Sequence, residues 1–88
     1  MDHTLGEYLT ATFVRPSPSG KTDIWAIRSV SSSEVLGEIK WFGRWRQYVF
    51  FPVDGTIWNP DCLDAVSTFV RGRTKASAEA RVLRKVAV

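Results

Sequence analysis

The sequence has only one cysteine and one histidine, Cys62 and His3, among 88 residues. A structural zinc site needs about four Cys or His ligands, so a single chain cannot build one from these two residues. Small secreted domains usually carry several paired cysteines, whereas a lone thiol is typical of a reducing compartment. These scarcities favour a cytoplasmic protein without a metal, and the sequence predicts no cofactor.

Long apolar runs are missing as well. No segment approaches the about 20 apolar residues that a helix needs to cross a bilayer. The first seven residues, MDHTLGE, have neither the basic region nor the apolar region of a secretory signal. The sequence therefore predicts no membrane partner and no export signal.

Enzyme motifs are also absent from the sequence. It contains no phosphate-binding loop, nucleophile elbow or dinucleotide fingerprint. Asp61 and Asp64 stand at a predicted helix start, where carboxylates usually serve the helix dipole rather than a metal. Cys62 lies between them without a nearby base, so burial between helix and sheet is the better interpretation. We expect no enzymatic activity and no small-molecule substrate.

The sequence is rich in large apolar residues for its length. Hydrophobic residues make up 44% of the chain and include four Trp, two Tyr and five Phe. A chain of this length suits one domain, and its stability depends on each large apolar side chain. We assign the folded domain to residues 1–70 and a basic tail, partly helical or disordered, to residues 71–88.

β-Branched and aromatic residues predict strands at 8–14, 23–30, 35–42 and 45–51, with a short fifth strand at 56–58. Prolines, glycines and serines fill the segments between the first three of these strands. Gly43-Arg44 fits a two-residue type II′ turn, and Asp54-Gly55 is a further hairpin signal. Short connections between successive strands predict an antiparallel meander.

A helix is predicted to follow the sheet. Asn59 suits the N-cap, Pro60 the first helical position and Asp61 the first turn. We expect Gly72 to end or kink this helix, and residues 76–86 to form a weaker second helical segment that is either joined to the first or separate from it. The apolar residues at helical spacing, which should face the sheet, are Leu63, Val66, Phe69 and Val70. The predicted fold class is therefore α+β: an antiparallel β-meander of four to five strands, a packed C-terminal helix and a basic helical tail.

The turns also predict which residues share a face of the sheet. A two-residue turn places Trp41 opposite Arg46, and a symmetric serine turn places Ala26 opposite Ile39. The face under the helix then holds Ile24, Ala26, Val30, Val35, Ile39, Trp41, Tyr48 and Phe50. The other face holds Trp25, Ile27, Leu36, Phe42, Trp45, Val49 and Phe51. Because both faces are apolar, either the sheet curls into a small barrel or its second face meets a partner.

The net charge of +3 is unevenly distributed. Residues 1–70 contain eight acidic and six basic residues, whereas residues 71–88 contain one acidic and six basic residues. This asymmetry indicates an acidic partner for the tail, usually nucleic acid, and the alternative is a solvated terminus. The basic residues of the tail are Arg71, Arg73, Lys75, Arg81, Arg84 and Lys85.

Residues 41–51 interleave aromatic residues with arginines. Proteins bind single-stranded nucleic acid with aromatic platforms for the bases and cations for the phosphates. The alternative for an aromatic residue in a strand is a place in the core, which we favour for Trp41, Tyr48 and Phe50. The residues that we predict to bind nucleic acid, together with the basic residues of the tail, are Trp25, Lys40, Phe42, Arg44 and Trp45.

Three spaced motifs carry a resemblance: Leu36-Gly37-x-Ile39-x-Trp41, Trp45-Arg46-x-Tyr48-x-Phe50-x-Pro52, and Cys62-Leu63 followed by Phe69. Over roughly its middle half the chain resembles small uncharacterised proteins of tailed phages and prophages. The resemblance implies the cytoplasm of a bacterial host and no particular activity. Together with the charge pattern it leads us to expect a nucleic-acid-binding accessory protein, with DNA favoured over RNA. The alternative is a protein-interaction module, a host-factor inhibitor or a homodimer, that uses the exposed aromatic sheet face.

Overall fold

The structure is a computed structural model that describes residues 2–86, with side chains described over residues 2–79. Its elements are β1 (Asp2–Leu5), β2 (Leu9–Pro16), β3 (Asp23–Ser29), β4 (Val35–Phe42), β5 (Gln47–Pro52) and α1 (Pro60–Val86). The strands form one five-stranded sheet in the order β1-β2-β3-β4-β5, and each pair of neighbours is antiparallel. The predicted α+β class, a β-meander followed by a C-terminal helix, is therefore confirmed.

The fifth strand is β1 and not the predicted segment 56–58. Leu5 pairs with Leu9 across a turn in which Gly6 has a φ of +68°, a conformation that glycine adopts without strain. Both leucines are buried in the core, which holds this short strand in place. Residues 56–58 form a loop instead, because their first residue donates both its N–H and its hydroxyl to the carbonyl of Val53.

The β4–β5 turn contains four residues, 43–46, where the sequence predicted two. Phe42 pairs with Gln47, and every β4–β5 pair is displaced by two residues from the prediction. The turn glycine lacks the positive φ of a type II′ turn, whereas Arg46 has a φ of +52°. A displacement of two residues keeps each side chain on its predicted face.

The β3–β4 register differs from the prediction by one residue. Trp25, and not Ala26, pairs with Ile39. The slip comes from an irregularity beyond the Ile27–Gly37 pair, which leaves one extra residue in β4. Because a slip of one residue exchanges the faces of a strand, Trp25 and Ile27 face the helix, and their predicted place on the second face is wrong.

Helix α1 begins as the sequence predicts. Pro60 is its first residue, and the Oδ1 of Asn59 accepts a hydrogen bond from the N–H of Cys62 at 2.8 Å. The helix continues through Gly72 to Val86, so Gly72 does not end it, and the two helical segments, whose junction the sequence left open, are one helix. Leu63 is 48% exposed, and its predicted place against the sheet is also wrong.

The core lies between α1 and one face of the sheet. Val66 is the helix residue buried most deeply among those described, and Phe69 and Val70 pack beside it. Cys62 is half-buried at the edge of this layer, as the sequence predicts. The buried residues of the cluster are Leu5, Leu9, Ala11, Trp25, Ile27, Ile39, Tyr48 and Val66.

Successive connections of the meander lie at alternate ends of the sheet. We call one end the helix-start end: it carries the turns at 6–8 and 30–34, the loop at 53–59 and the first turn of α1. We call the other the hairpin end: it carries the loop at 17–22 and the β4–β5 turn. Helix α1 runs from the first end towards the second, where the Oγ1 of Thr74 lies 3.0 Å from the backbone nitrogen of Tyr48.

Candidate nucleic-acid interface

The β4–β5 turn presents an aromatic pair at the hairpin end. The rings of Phe42 and Trp45 meet edge to face, with centroids 4.8 Å apart and planes at 79°. Trp45 is 64% exposed, and Arg44 and Arg46 on either side of it are also exposed. The four-residue turn therefore holds one indole out of the core between two guanidinium groups.

Lys40 lies on the face of the sheet opposite the helix. Its Nζ is 3.6 Å from the Oε1 of Glu38 and 4.7 Å from the ring centroid of Phe51. Both partners of the ion pair are 40% exposed at their side chains, so solvent screens this pair. Lys40 is two positions from Phe42 on the same strand, and its ammonium group already contacts Glu38 and the ring of Phe51.

Trp25 is not part of this surface. It is 6% exposed, and the rings of His3, Phe13 and Phe69 contact it with centroids 5.1, 5.7 and 5.3 Å away. The guanidinium of Arg73 lies 5.4 Å from the ring centroid of Trp25, and the indole Nε1 is buried without a hydrogen-bond partner. The burial leaves no open face for a base, so we withdraw Trp25 from the predicted binding residues.

The basic part of α1 approaches the same end of the sheet. The hydrogen bond between Thr74 and Tyr48 fixes the helix beside the first residues of β5, next to the β4–β5 turn. Arg71 and Lys75 are exposed and lie four positions apart, on one side of the helix. Arg73 is half-buried, and its guanidinium contacts the ring of Trp25. We therefore leave Arg73 out of the candidate nucleic-acid surface.

The helix backbone continues to Val86 and carries Arg81, Arg84 and Lys85 past this point. The side chains of these three residues lie outside the part of the chain whose side chains are described. We call the remaining set the hairpin-end surface. It consists of Phe42, Arg44, Trp45, Arg46, Arg71 and Lys75.

Sequence reasoning missed Arg46, because the predicted two-residue turn placed it opposite Trp41 and inside the strand. In the structure it belongs to the turn with a φ of +52° and is exposed to solvent. A two-residue and a four-residue turn give the same alternation of faces, so the hydrophobic pattern could not have distinguished them.

The connecting segments at the helix-start end are acidic. The connecting segments 6–8, 30–34 and 53–64 at the helix-start end contain no Lys or Arg. Arg28 reaches this end from β3, where its Nη1 donates to the carbonyl of Ser33 at 3.1 Å. The acidic residues of the three segments are Glu7, Glu34, Asp54, Asp61 and Asp64.

The face of the sheet opposite the helix has Glu38 and Lys40 at its centre, as the sequence predicts, but its apolar members on β3 differ from the prediction. Trp25 and Ile27 lie on the helix side instead, and Glu38 and Lys40 form an ion pair on the opposite face. Phe51 beside them is 40% exposed. A sheet face for a protein partner therefore lacks the indole of Trp25, and Ile24 and Ala26, predicted under the helix, take the β3 positions on this face instead.

No three His, Cys, Asp or Glu side chains among the described residues are grouped closely enough to hold a metal ion. Over the same residues, no helix combines the length and the apolar character needed to cross a bilayer.

Comparisons with known proteins place the chain among phage proteins. No protein-family model matches it, and no solved structure matches it. It is similar to the "Uncharacterized 9.3 kDa protein" of Acholeplasma phage L2, with 31% identity over 70 residues. The matched region covers 80% of this chain and 88% of the phage protein. At that identity and coverage, the chain belongs to the family of this small phage protein.

Proposed function

We propose that this chain is a small nucleic-acid-binding accessory protein of the phage type, acting in the bacterial cytoplasm by binding and not by catalysis. The observation that carries the proposal is Trp45, which is 64% exposed between two exposed arginines. An indole held out of the core leaves a large apolar surface in water, and a stacked base removes that surface from water. Stacking of this kind contributes about 1–3 kcal/mol per base.

Charge supports the same surface. Arg44 and Arg46 flank the indole, and Lys75 follows the residue that joins α1 to β5. These cations can neutralise phosphates on either side of a stacked base. The acidic segments lie at the opposite end of the sheet, so the molecule's field favours an approach of nucleic acid to the hairpin end.

The geometry favours single strands over duplexes. A single exposed indole needs an unstacked base, and the bases of a duplex are already stacked on one another. Binding through phosphates and one stacked ring carries little sequence information, so we expect weak sequence preference. DNA is the partner that we propose first, and RNA is compared with it in the experiment.

The test is fluorescence anisotropy of labelled single-stranded DNA, double-stranded DNA and RNA, titrated with the protein at several salt concentrations. We expect affinity for single strands to fall as salt rises, with a logarithmic slope of about 0.7 for each neutralised phosphate. No binding at low salt contradicts the proposal.

The matched variants are Trp45→Ala and Tyr8→Ala. Tyr8 has the same exposed fraction as Trp45, 64%, but it lies at the helix-start end. Trp45→Ala should weaken binding by about 1–3 kcal/mol, whereas Tyr8→Ala should leave it unchanged. An equal effect of the two variants would place the binding surface elsewhere.

A further inference from the structure

A small pocket opens at the helix-start end, between the β1–β2 turn and the beginning of α1. Its volume is about 240 Å³, and its apolar lining includes Leu5, Leu9 and Ala65. Two acidic residues, Glu7 and Asp61, also line it, and both are exposed. This is smaller than the about 300–1,000 Å³ of pockets that hold drug-sized ligands, so its size suits one large side chain.

The opposite end of the molecule presents a side chain of complementary chemistry. Trp45 is an exposed apolar ring between Arg44 and Arg46, and the pocket is an apolar hollow between Glu7 and Asp61. The ring and the pocket lie at opposite ends of the sheet, whose eight-residue strands β2 and β4 are about 26 Å long. The ring of one chain therefore cannot reach its own pocket, so a Trp45 ring that fills the pocket has to come from a second chain.

We propose that two copies of this chain associate head to tail, with Trp45 of one copy in the pocket of the next. Arg44 and Arg46 then approach the carboxylates of Glu7 and Asp61. The two surfaces in contact differ, so the interface is heterologous and each added copy leaves a ring and a pocket for another. A contact of one side chain is far smaller than the about 1,200–2,000 Å² of a stable interface, so the association is weak and depends on concentration.

The head-to-tail contact depends on the pocket and on the opposite charges beside the pocket and the ring, and it does not depend on nucleic-acid binding. The two activities nevertheless share Trp45, which cannot stack on a base and fill a pocket at once. Single-stranded nucleic acid that uses the hairpin-end surface should therefore dissociate the head-to-tail chains.

The test is sedimentation velocity of the full chain without nucleic acid, at protein concentrations up to about 1 mM and at low and high salt. We expect a mean mass that rises with concentration and falls with salt, because the interface brings opposite charges together. Trp45→Ala and Glu7→Arg should each weaken association at least about 10-fold, since buried aromatic anchors dominate interface energies.

Mixing the two variants separates a heterologous interface from a symmetric one. The Trp45→Ala variant keeps its pocket, and the Glu7→Arg variant keeps its indole, so a mixture should form one-to-one dimers and nothing larger. The control is Glu34→Arg, which makes the same charge change at the same end but outside the pocket lining. That variant should retain most of the self-association.

Three outcomes overturn the proposal: a monomer at all concentrations, a mixture that does not dimerise, or an equal effect of Glu34→Arg and Glu7→Arg. Glu7→Arg should leave single-strand affinity unreduced, since Glu7 is remote from the hairpin end. Loss of self-association with intact DNA binding, or the reverse, therefore identifies which of the two proposals has failed.

Discussion

The hydroxyl of Thr74 accepts a hydrogen bond from the backbone N–H of Tyr48 at 3.0 Å, and this bond joins helix α1 to the outer edge of β5. It also sets the position of the basic helix beside the β4–β5 turn. Thr74 and Tyr48 are 26 residues apart in the chain. The bond between them therefore holds the β4–β5 turn and the basic residues of α1, the two parts of the hairpin-end surface, at one end of the fold.

Removal of that hydroxyl should destabilise the fold. Thr74→Val leaves the part-buried N–H of Tyr48 without its acceptor, and we expect a loss of about 1 kcal/mol. In a domain of this size the midpoint of thermal unfolding should fall by about 4–8 °C, measured by circular dichroism. Thr68→Val, at an exposed position of the same helix, is the control and should change the midpoint little. Equal midpoints for the two variants would show that the bond does not contribute.

Gly37 tests the register of the sheet. A Cβ at this position would clash with the ring of Phe50 and would lie 2.9 Å from the carbonyl oxygen of Phe51. Gly37→Ala should therefore cost about 1–3 kcal/mol through overpacking, measured by denaturant unfolding. Gly43→Ala is the matched control, because a Cβ at Gly43 meets nothing within 4 Å and its φ is not positive. Similar stabilities for the two variants would contradict the β4–β5 pairing.

Gly72 tests the continuity of α1. It lies inside the helix, and a Cβ there meets nothing within 4 Å. Gly72→Ala should therefore stabilise the protein by about 0.5–1 kcal/mol, because alanine loses less backbone entropy in a helix. Gly55→Ala has equally open space but a φ of +83°, so the same change should destabilise. A loss of stability with Gly72→Ala would indicate that the helix breaks there.

The charges beside Trp45 should control the salt dependence of nucleic-acid binding. The double variant Arg44→Gln, Arg46→Gln should reduce the slope of log affinity against log salt by about 0.7 for each phosphate that it no longer neutralises. Arg28→Gln removes one positive charge near the helix-start end, where Arg28 donates to the carbonyl of Ser33, and serves as the control. If the slope changes as much with Arg28→Gln, the effect reflects net charge and not the hairpin-end surface.

Local signals in the sequence predicted the helix start and the class of fold well. Asn59 and Pro60 form the predicted cap, since capping depends on adjacent residues alone. The face of β3 was predicted wrongly, because the irregularity that puts Trp25 opposite Ile39 depends on contacts between strands. Strand β1 was missed because it is short and only Thr4 among its four residues favours a strand, whereas burial of Leu5 holds it in place.

The candidate surface was predicted only in part for the same reason. Arg44 lies in the turn that the local signal at Gly43 predicts, whereas Trp45, predicted to be the first residue of a strand, lies exposed in the same turn. The proximity of Lys75 to the turn depends on a helix that passes through Gly72 and contacts Tyr48. No local pattern carries that information, since glycine is more often a helix terminator than an interior residue.

The bond between Thr74 and Tyr48 has a consequence for the behaviour of concentrated protein. In an antiparallel edge strand, alternate residues direct their amides outward, and on β5 these are Tyr48, Phe50 and Pro52. The amide of Tyr48 is already bonded to the helix, and Pro52 has no N–H to offer. A strand from another molecule therefore finds two of the three outward positions unable to donate. This border of the sheet resists fibril growth by strand addition, even where many copies accumulate together.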